Sequence, residues 1–190
     1  MTNVDLYLSH CKFLYARNNG LRVLGGNIYL YKCEASYNYL DGFNYHPNTD
    51  AATTKPHILE IECCGYYNGY LNSENTSYSN NGSTIHYSGK AIRLNCNYAY
   101  CKGGVIADHT AYSFNFGCSA INSLCFVTGN ETNNTSIHCI STSVMYLFDC
   151  ELYGSKYEIS MVQGNGTINT NIEYNKVYKE DTTETINIIQ

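Results

Sequence analysis

A short motif that ends in cysteine recurs along this chain of 190 residues. In each copy two apolar residues alternate with other residues shortly before the cysteine. The copies are LYLSHC, IYLYKC, ILEIEC, IRLNC, FNFGC and YLFDC, which end at Cys11, Cys33, Cys63, Cys96, Cys118 and Cys150. The cysteines are 22, 30, 33, 22 and 32 residues apart, so a base period of 22 with insertions of about 8 to 11 residues accounts for every interval.

A repeat of this length predicts a solenoid in which each period forms one coil of three short strands and three turns. A β-sandwich also has strands at short intervals, but it gives no reason for one residue type to return every 22 residues. The 20 Tyr and 15 Gly favour strands and turns, and almost no segment has the composition of a stable helix. We therefore predict an all-β chain, folded as a right-handed parallel β-helix with about 22 residues per coil.

The recurring cysteines are expected to face the interior. Coils of a parallel β-helix stack about 4.8 Å apart, so equivalent inward positions form a column. A small, readily buried side chain such as Cys suits that column. We predict a ladder of free thiols and few or no disulfides.

Charge and hydropathy exclude several classes of protein. The net charge is −5 and the 11 Lys and Arg are scattered, which argues against a nucleic-acid surface. No apolar stretch approaches the ~20 residues of a membrane span. The N-terminal segment, MTNVDLYLSHCKF, lacks the basic and apolar regions of a signal peptide. We expect no nucleic-acid partner, no membrane and no signal peptide in this chain.

A second frame follows the cysteines, where a glycine closes a turn before a four-residue strand. The glycines are Gly20, Gly42, Gly82 and Gly104. Counting from each glycine, the first and third positions are mostly apolar and are expected to point inward. The second and fourth positions are expected to face solvent, and they are Arg22/Leu24, Asn44/His46, Thr84/His86 and Ile106/Asp108.

This frame predicts a vertical row of His46, His86 and Asp108 on the solvent face, with steps of roughly 5 Å. A carboxylate beside an imidazole raises its pKa and fixes its tautomer. We therefore interpret the three residues as a candidate catalytic set, with His46 or His86 as general acid or base and Asp108 as the orienting carboxylate. The candidate substrate-binding residues around the row are Asp41, Asn44, Thr84 and Tyr87.

Two other interpretations of the row remain open. Outward polar residues on a solenoid can form a hydrogen-bonded ladder with a purely structural role. A His-His-Asp set also contains ligands suited to zinc or iron, although side chains at fixed spacing on a flat strand converge poorly on one ion. We predict no metal and no cofactor.

The insertions and the C-terminus can be placed from composition. Residues 47–57, 65–82 and 128–137 are polar and long, which predicts loops over the solenoid. Residues 1–178 are assigned to the coils, as part of a longer chain. Residues 179–190 turn acidic and are predicted to form a final strand, a cap or an interface segment.

The strings YNYLDGFNYH, LEIECCGYYNG, NNGSTIHYSGKAIRLN and GGVIADHTAYSFNFGCSA resemble the pectate-lyase-like β-helices of bacteriophage tail spikes and tail fibres. The resemblance covers residues 4–175 and is strongest over 37–118. It implies a right-handed parallel β-helix, often trimeric, that binds and sometimes cleaves polysaccharide on a host surface. Tail-spike glycosidases use paired carboxylates and pectate lyases use calcium with acidic clusters, whereas the row in this chain offers His-His-Asp.

The resulting hypothesis is a carbohydrate-directed β-helix of a phage tail or bacterial surface, which assembles as a homotrimer. If it is catalytic, it degrades polysaccharide by hydrolysis or β-elimination. The alternative is a glycan-binding adhesin or a structural shaft of the same fold, without catalysis.

Overall fold

The computed structural model describes residues 5–47, 54–69, 80–125 and 131–190, and these residues form three parallel β-sheets. The strands are numbered in chain order. Sheet A contains β1 (Asp5–Ser9), β4 (Gly26–Tyr31), β7 (Pro56–Ile61), β10 (Lys90–Leu94), β13 (Tyr112–Phe116), β16 (Val144–Phe148), β19 (Thr167–Thr170) and β21 (Thr185–Ile188). Sheet B contains β2 (Lys12–Leu14), β5 (Glu34–Ser36), β8 (Cys64–Tyr66), β11 (Asn97–Ala99), β14 (Ser119–Ile121) and β17 (Glu151–Tyr153). Sheet C contains β3 (Leu21–Val23), β6 (Phe43–Tyr45), β9 (Ser83–His86), β12 (Ile106–His109), β15 (Thr135–Ile140), β18 (Tyr157–Val162) and β20 (Val177–Lys179).

The chain visits sheets A, B and C in that order, and each strand pairs in parallel with its counterpart in the next coil. In sheet A the register aligns Asp5, Asn27, His57, Lys90, Tyr112 and Val144. These residues are spaced like the six recurring cysteines, so the predicted parallel β-helix and its coil boundaries are confirmed. Right-handed winding is the expected sense, because about 98% of parallel crossovers within a sheet have it.

The six recurring cysteines occupy equivalent positions and form a thiol ladder. Cys33, Cys63, Cys96 and Cys118 are buried, and the two outer members, Cys11 and Cys150, are half-buried. All six are free thiols, as predicted. Their Sγ atoms lie within hydrogen-bonding distance of backbone carbonyl oxygens, for example 3.5 Å from Cys96 Sγ to the carbonyl of Glu60. The ladder therefore fills the core without cross-linking it.

The corners between sheets use residues in the left-handed region of backbone space. Between sheets A and B the corner residues have φ of 50–61°, and they are His10, Lys32, Glu62, Asn95, Gly117 and Asp149. At the corner that follows sheet B, Tyr15, Tyr37, Tyr67 and Tyr100 also have positive φ. Their rings stack with centroids 5.3, 5.3 and 4.9 Å apart. One such residue turns the chain sharply, so each corner column repeats from coil to coil.

The three predicted insertions fall between strands, but their bounds were too wide. Residues 48–53, 70–79 and 126–130 lie outside the described residues. Gly65 and Tyr66 belong to β8, and Thr135–Ile137 belong to β15, which follows a short 3₁₀ helix at Glu131–Asn133. The sequences of β8 and the start of β15 contain too few apolar residues to predict a strand. Both segments are strands because they pair with strands of the neighbouring coils.

The C-terminal segment continues the solenoid, because β21 pairs in parallel with β19 and extends sheet A. In the part of the chain that the structure describes, no helix has the length and apolar character needed to span a membrane.

Candidate functional site

Three histidines form a row on the outer side of sheet C. His86 pairs with His109 in the register of β9 and β12, and His46 follows the pair Tyr45–Ile85. The ring centroids of His46 and His86 are 4.8 Å apart, and those of His86 and His109 are 5.5 Å apart. We call His46, His86 and His109 the histidine row. Two of its members were predicted from the sequence, and His109 was not.

The predicted position of Asp108 in this row is wrong. Asp108 pairs with Ile85, which is an inward position, and its side chain is completely buried. The glycine frame took Gly104 as the counterpart of Gly82, but Val105 occupies that place and its carbonyl accepts a hydrogen bond from the Gly82 amide. A slip of one residue moves every side chain of a strand to the opposite face. The correct register therefore places His109, and not Asp108, beside His86 in the row.

Asp108 instead joins an ionic network inside the solenoid. Arg93 Nη2 lies 3.0 Å from Asp108 Oδ1, and Arg93 Nε lies 3.5 Å from Glu60 Oε2. All three side chains are fully buried. Burial alone would lower the pKa of the Arg93 guanidinium, but the carboxylates of Asp108 and Glu60 outweigh that effect and raise it. Asp108, the carboxylate expected to orient a histidine of the row, is therefore paired with Arg93 inside the core.

Tyr87 lies beside all three histidines. Its ring centroid is 4.9 Å from that of His46, 5.7 Å from His86 and 5.4 Å from His109. The residue follows β9 at the corner and has a φ of 50°. The expectation that Tyr87 lies near the predicted histidines is confirmed, whereas its role stays a prediction.

The first two members of the row have different hydrogen-bonding states. The Nδ1 of His46 lies 2.5 Å from the carbonyl oxygen of Pro47, so Nδ1 carries the hydrogen that it donates, and in the neutral form of the ring Nε2 has the free lone pair. His86 Nε2 is 3.3 Å from the Thr84 hydroxyl, and its buried Nδ1 has no hydrogen-bond partner among the described residues. Burial, followed by the neighbouring His46 and His109, lowers the pKa of His86 to about 3. His86 is therefore a neutral imidazole at pH 7.

Asp41 holds the edge of the site together. Its Oδ1 accepts hydrogen bonds from the backbone amides of Asn80 and Asn81, each at 2.8 Å, and from the Asn81 side chain at 2.9 Å. Its Oδ2 accepts one from Asn44 Nδ2 at 2.6 Å. Burial raises the pKa of Asp41, while these hydrogen bonds act in the opposite direction. The arrangement anchors residues 80–81, which precede β9, to the coil below.

His86 and His109 line a cleft of about 300 Å³, whereas His46 and Tyr87 lie next to them outside its lining. The polar residues that line the cleft are Asp41, Asn81, Thr84, His86, His109 and Gln163, and the apolar ones are Ala107 and Ile140. The predicted open solvent face is therefore wrong for this sheet, since Asn44 is 7% and Thr84 only 1% exposed. Asn81 and Gln163 were missed because each lies at a corner rather than in a strand, where a period-two pattern gives no information.

A fourth histidine lies beside the cleft in the neighbouring column. His138 pairs with Ala107 and is 1% exposed. Burial, followed by the charge of His109, lowers the pKa of His138 to about 4. Its Nε2 is buried without a hydrogen-bond partner among the described residues. The cleft is thus backed by imidazoles whose positive forms are disfavoured.

Across the described ranges of the chain, no group of three or more His, Cys, Asp or Glu side chains is arranged to hold a metal ion. The three rings of the histidine row do not converge on one point, because the stacking of the coils spaces them along one direction. The chemistry available to the cleft is hydrogen bonding and proton transfer by imidazole, amide, hydroxyl and carboxyl groups.

No family model, no curated protein and no solved structure matches this chain. The structure defines its class as a parallel β-helix with a polar cleft on the outer side of one sheet.

Proposed function

We propose that this chain is a carbohydrate-directed β-helix that binds a surface polysaccharide in the cleft on sheet C. The observation that carries the proposal is that two members of the histidine row, His86 and His109, both line this cleft with their ring centroids 5.5 Å apart. Neutral imidazoles, amides and hydroxyls both donate and accept hydrogen bonds, as sugar hydroxyls do. A volume of about 300 Å³ falls at the lower end of the range for small-molecule sites, which suits a short stretch of glycan.

The proposal favours binding over cleavage. Glycosidases of the common kind need two carboxyl groups on either side of the scissile bond. Among the described residues that line the cleft, Asp41 supplies the one carboxylate, and its oxygens already accept four hydrogen bonds. With a pKa of about 3, His86 is a weak base at neutral pH.

One observation favours a second candidate, a polysaccharide depolymerase. The Pro47 carbonyl accepts a hydrogen bond from His46 Nδ1–H, which orients the ring and, in the neutral imidazole, leaves Nε2 as a hydrogen-bond acceptor. A histidine held in this way can act as a general base. In this candidate, His46 removes a proton at a sugar carbon or activates water.

The same proposal assigns the chain to a phage tail or to a bacterial surface. There the solenoid presents its cleft to glycans of a host cell. This assignment follows from the resemblance of residues 37–118 to tail-spike β-helices, and it is tested together with the glycan.

The experiment is an array of purified bacterial capsules and lipopolysaccharide O-chains, followed by calorimetric titration of the glycans that bind. His86→Phe and Thr84→Val each remove a hydrogen-bonding group from the cleft at nearly constant size. We expect each change to weaken binding by about 5- to 150-fold, because a lost hydrogen bond to a ligand costs on the order of 1–3 kcal/mol. His10→Phe, at an exposed corner, is the matched control and should leave the affinity unchanged.

Binding to none of these glycans, or binding that survives both cleft changes, would contradict the proposal. Cleavage is measured on the same glycans by the release of reducing ends and of unsaturated products. Release that disappears in His46→Gln would replace the binding function by the depolymerase candidate.

A further inference from the structure

The outer face of sheet A carries two columns of large apolar side chains, which we call the aromatic stripe. The first column contains Tyr7, Tyr29, Leu59, Ile92, Phe114 and Tyr146. The second contains Tyr31, Ile61, Leu94, Phe116 and Phe148. Strand pairing keeps both columns in register over successive coils, so the stripe runs parallel to the axis of the solenoid.

Six of the eleven members of the stripe are exposed, and the other five are half-buried. Tyr7 is 68%, Ile92 46% and Phe116 43% exposed, and three further members, Tyr31, Phe114 and Tyr146, are 37–39% exposed. At about 200 Å² for a full side chain, these six expose roughly 500 Å², and the half-buried members add to it. This area approaches the ~800 Å² that each partner buries in a standard protein–protein interface. It also reaches the size of the largest apolar patch on a typical monomer, roughly 300–600 Å².

On two strands the usual pattern of a half-buried sheet is inverted. In β10 the charged Arg93 points inward, while Ile92 and Leu94 point outward. In β13 Asn115 is buried and the flanking Phe114 and Phe116 are exposed. A solenoid whose face met only water would gain by the opposite arrangement, because exposed aromatic rings keep apolar area in contact with water. The inversion indicates that this face is covered.

The surroundings of the stripe have the anatomy of an interface. The stripe itself contains Tyr, Phe, Leu and Ile and no charged residue. On one side it is bordered by a column that is polar over the first four coils, with Asp5, Asn27, His57 and Lys90, and that continues with Tyr112 and Val144. On the other side lies the ion pair of Lys32 and Glu62 at 3.3 Å. An apolar centre that lacks charge, surrounded by a polar rim, is typical of surfaces that bind proteins.

We propose that the aromatic stripe is the surface through which this chain associates with further copies of itself. A stripe of uniform chemistry along the solenoid axis is self-complementary, since apolar columns meet apolar columns and rim meets rim when two copies face each other. Rings already packed against each other, such as Tyr7 on Tyr29 at 4.5 Å and Phe114 on Phe148 at 5.3 Å, lose little freedom on association. Two copies related by a two-fold axis, or three around a common axis, satisfy this geometry.

The N-terminal end of the stripe offers a place for a partner side chain. An open cavity of about 250 Å³ lies there, lined mainly by Tyr7, Tyr29, Tyr31, Leu59 and Ile61. Buried aromatic anchors in such cavities are the residues that contribute most to binding at protein interfaces. The exposed rings of a second copy are anchors of this kind.

The test is the mass of the whole chain in solution, measured by light scattering and sedimentation over a range of concentrations. One chain has a mass of 21.4 kDa. We expect the native chain to sediment as two or three copies and the variant Ile92→Lys/Phe114→Lys to sediment as one. The control, Leu14→Lys/Tyr153→Lys, adds the same charge to exposed apolar positions of sheet B and should keep the native mass.

Circular dichroism of both variants establishes that the solenoid is intact. As a second measurement that keeps the face apolar, benzoylphenylalanine at position 114 should form photo-cross-links between copies, to peptides that contain residues of the stripe. A native chain of 21.4 kDa at every concentration, or cross-links that never join two copies through the stripe, would overturn the proposal. Glycan binding is measured for the Ile92→Lys/Phe114→Lys variant as well. If this variant is monomeric and still binds glycan, the function proposed for the cleft does not depend on self-association.

Discussion

The imidazole of His86 is surrounded by groups that disfavour its positive charge, and His138 is buried nearby. In the folded chain the pKa of His86 is about 3 and that of His138 about 4, against an ordinary value of 6.5 in the unfolded chain. Below pH 6.5 the unfolded chain therefore binds protons that the folded chain does not. The stability that these residues confer is complete above that pH and decreases as the pH falls toward 4 and then 3.

We expect the free energy of unfolding to drop between about pH 7.5 and about pH 5, by on the order of 2 kcal/mol for each of the two histidines. Urea denaturation at the two pH values measures it. The double variant His86→Gln/His138→Gln should lose most of the pH dependence, whereas His10→Gln should retain it. An unchanged dependence in the double variant would refute this account.

The corner residues must adopt a positive φ, which restricts the residue types that each corner tolerates. Asn95 has a φ of 54°, a conformation that costs an L-residue about 1–2 kcal/mol and that Asn tolerates better than β-branched residues do. We expect Asn95→Val to destabilise the chain by about this amount. The same substitution two residues later, Asn97→Val, lies at an exposed strand position and removes only an exposed hydrogen bond from the Ser119 hydroxyl. It should change the free energy of unfolding by no more than about 0.5 kcal/mol in the same urea titration.

At the scale of strands, β7, β10 and β12 are joined by the ionic network inside the solenoid. Glu60 accepts hydrogen bonds from the hydroxyls of Tyr45 and Tyr98, both at 2.5 Å, and shares Arg93 with Asp108. Removing the guanidinium leaves two buried carboxylates without their cation, which is far more costly than losing an exposed ion pair.

Arg93→Met should therefore lower the free energy of unfolding by about 3–5 kcal/mol. The exposed Arg22 provides the matched control, and Arg22→Met should change it by no more than about 0.5 kcal/mol. Chemical denaturation followed by circular dichroism measures both. Equal effects of the two substitutions would show that the network contributes no more than surface charge.

The two recurring residue types, cysteine and glycine, differ in how well they predict the register of the strands. Cysteine occurs at one interior position in each of the first six coils, so its spacing gave the register of the first six strands of sheet A correctly. Glycine marks a turn but not a unique place within it: in this coil Val105, and neither Gly103 nor Gly104, stands opposite Gly82, so the glycine frame placed β12 one residue out of register. The inward Arg93 could not be predicted, because an ionisable side chain enters the core only when its partners on other coils are known.

At the scale of the whole molecule, the described coils differ in how completely their interiors are enclosed. Core residues of the middle coils, such as Ile85, Ile106 and Ile137, have no exposed surface, whereas Leu6, Leu8 and Phe13 of the first coil are only partly buried. In a solenoid each coil is stabilised by its two neighbours, so a terminal coil has half of that stabilisation.

Hydrogen exchange followed by mass spectrometry should therefore show the strongest protection in peptides that cover β9, β12 and β15, with exchange increasing toward β1 and β21. Assembly through the aromatic stripe would raise protection along sheet A without altering this order from end to middle. Uniform protection along the axis would contradict the nearest-neighbour description.

Each coil lengthens the solenoid by about 4.8 Å and leaves its cross-section unchanged. The coil from Lys90 to its counterpart Tyr112 needs only 22 residues. A gene that gains or loses a segment of that size would move everything beyond it along the axis by one step, with the stacked columns still matched. The length of the solenoid along its axis is therefore the property that such a chain can change most readily during evolution, while the shape of its ends is preserved.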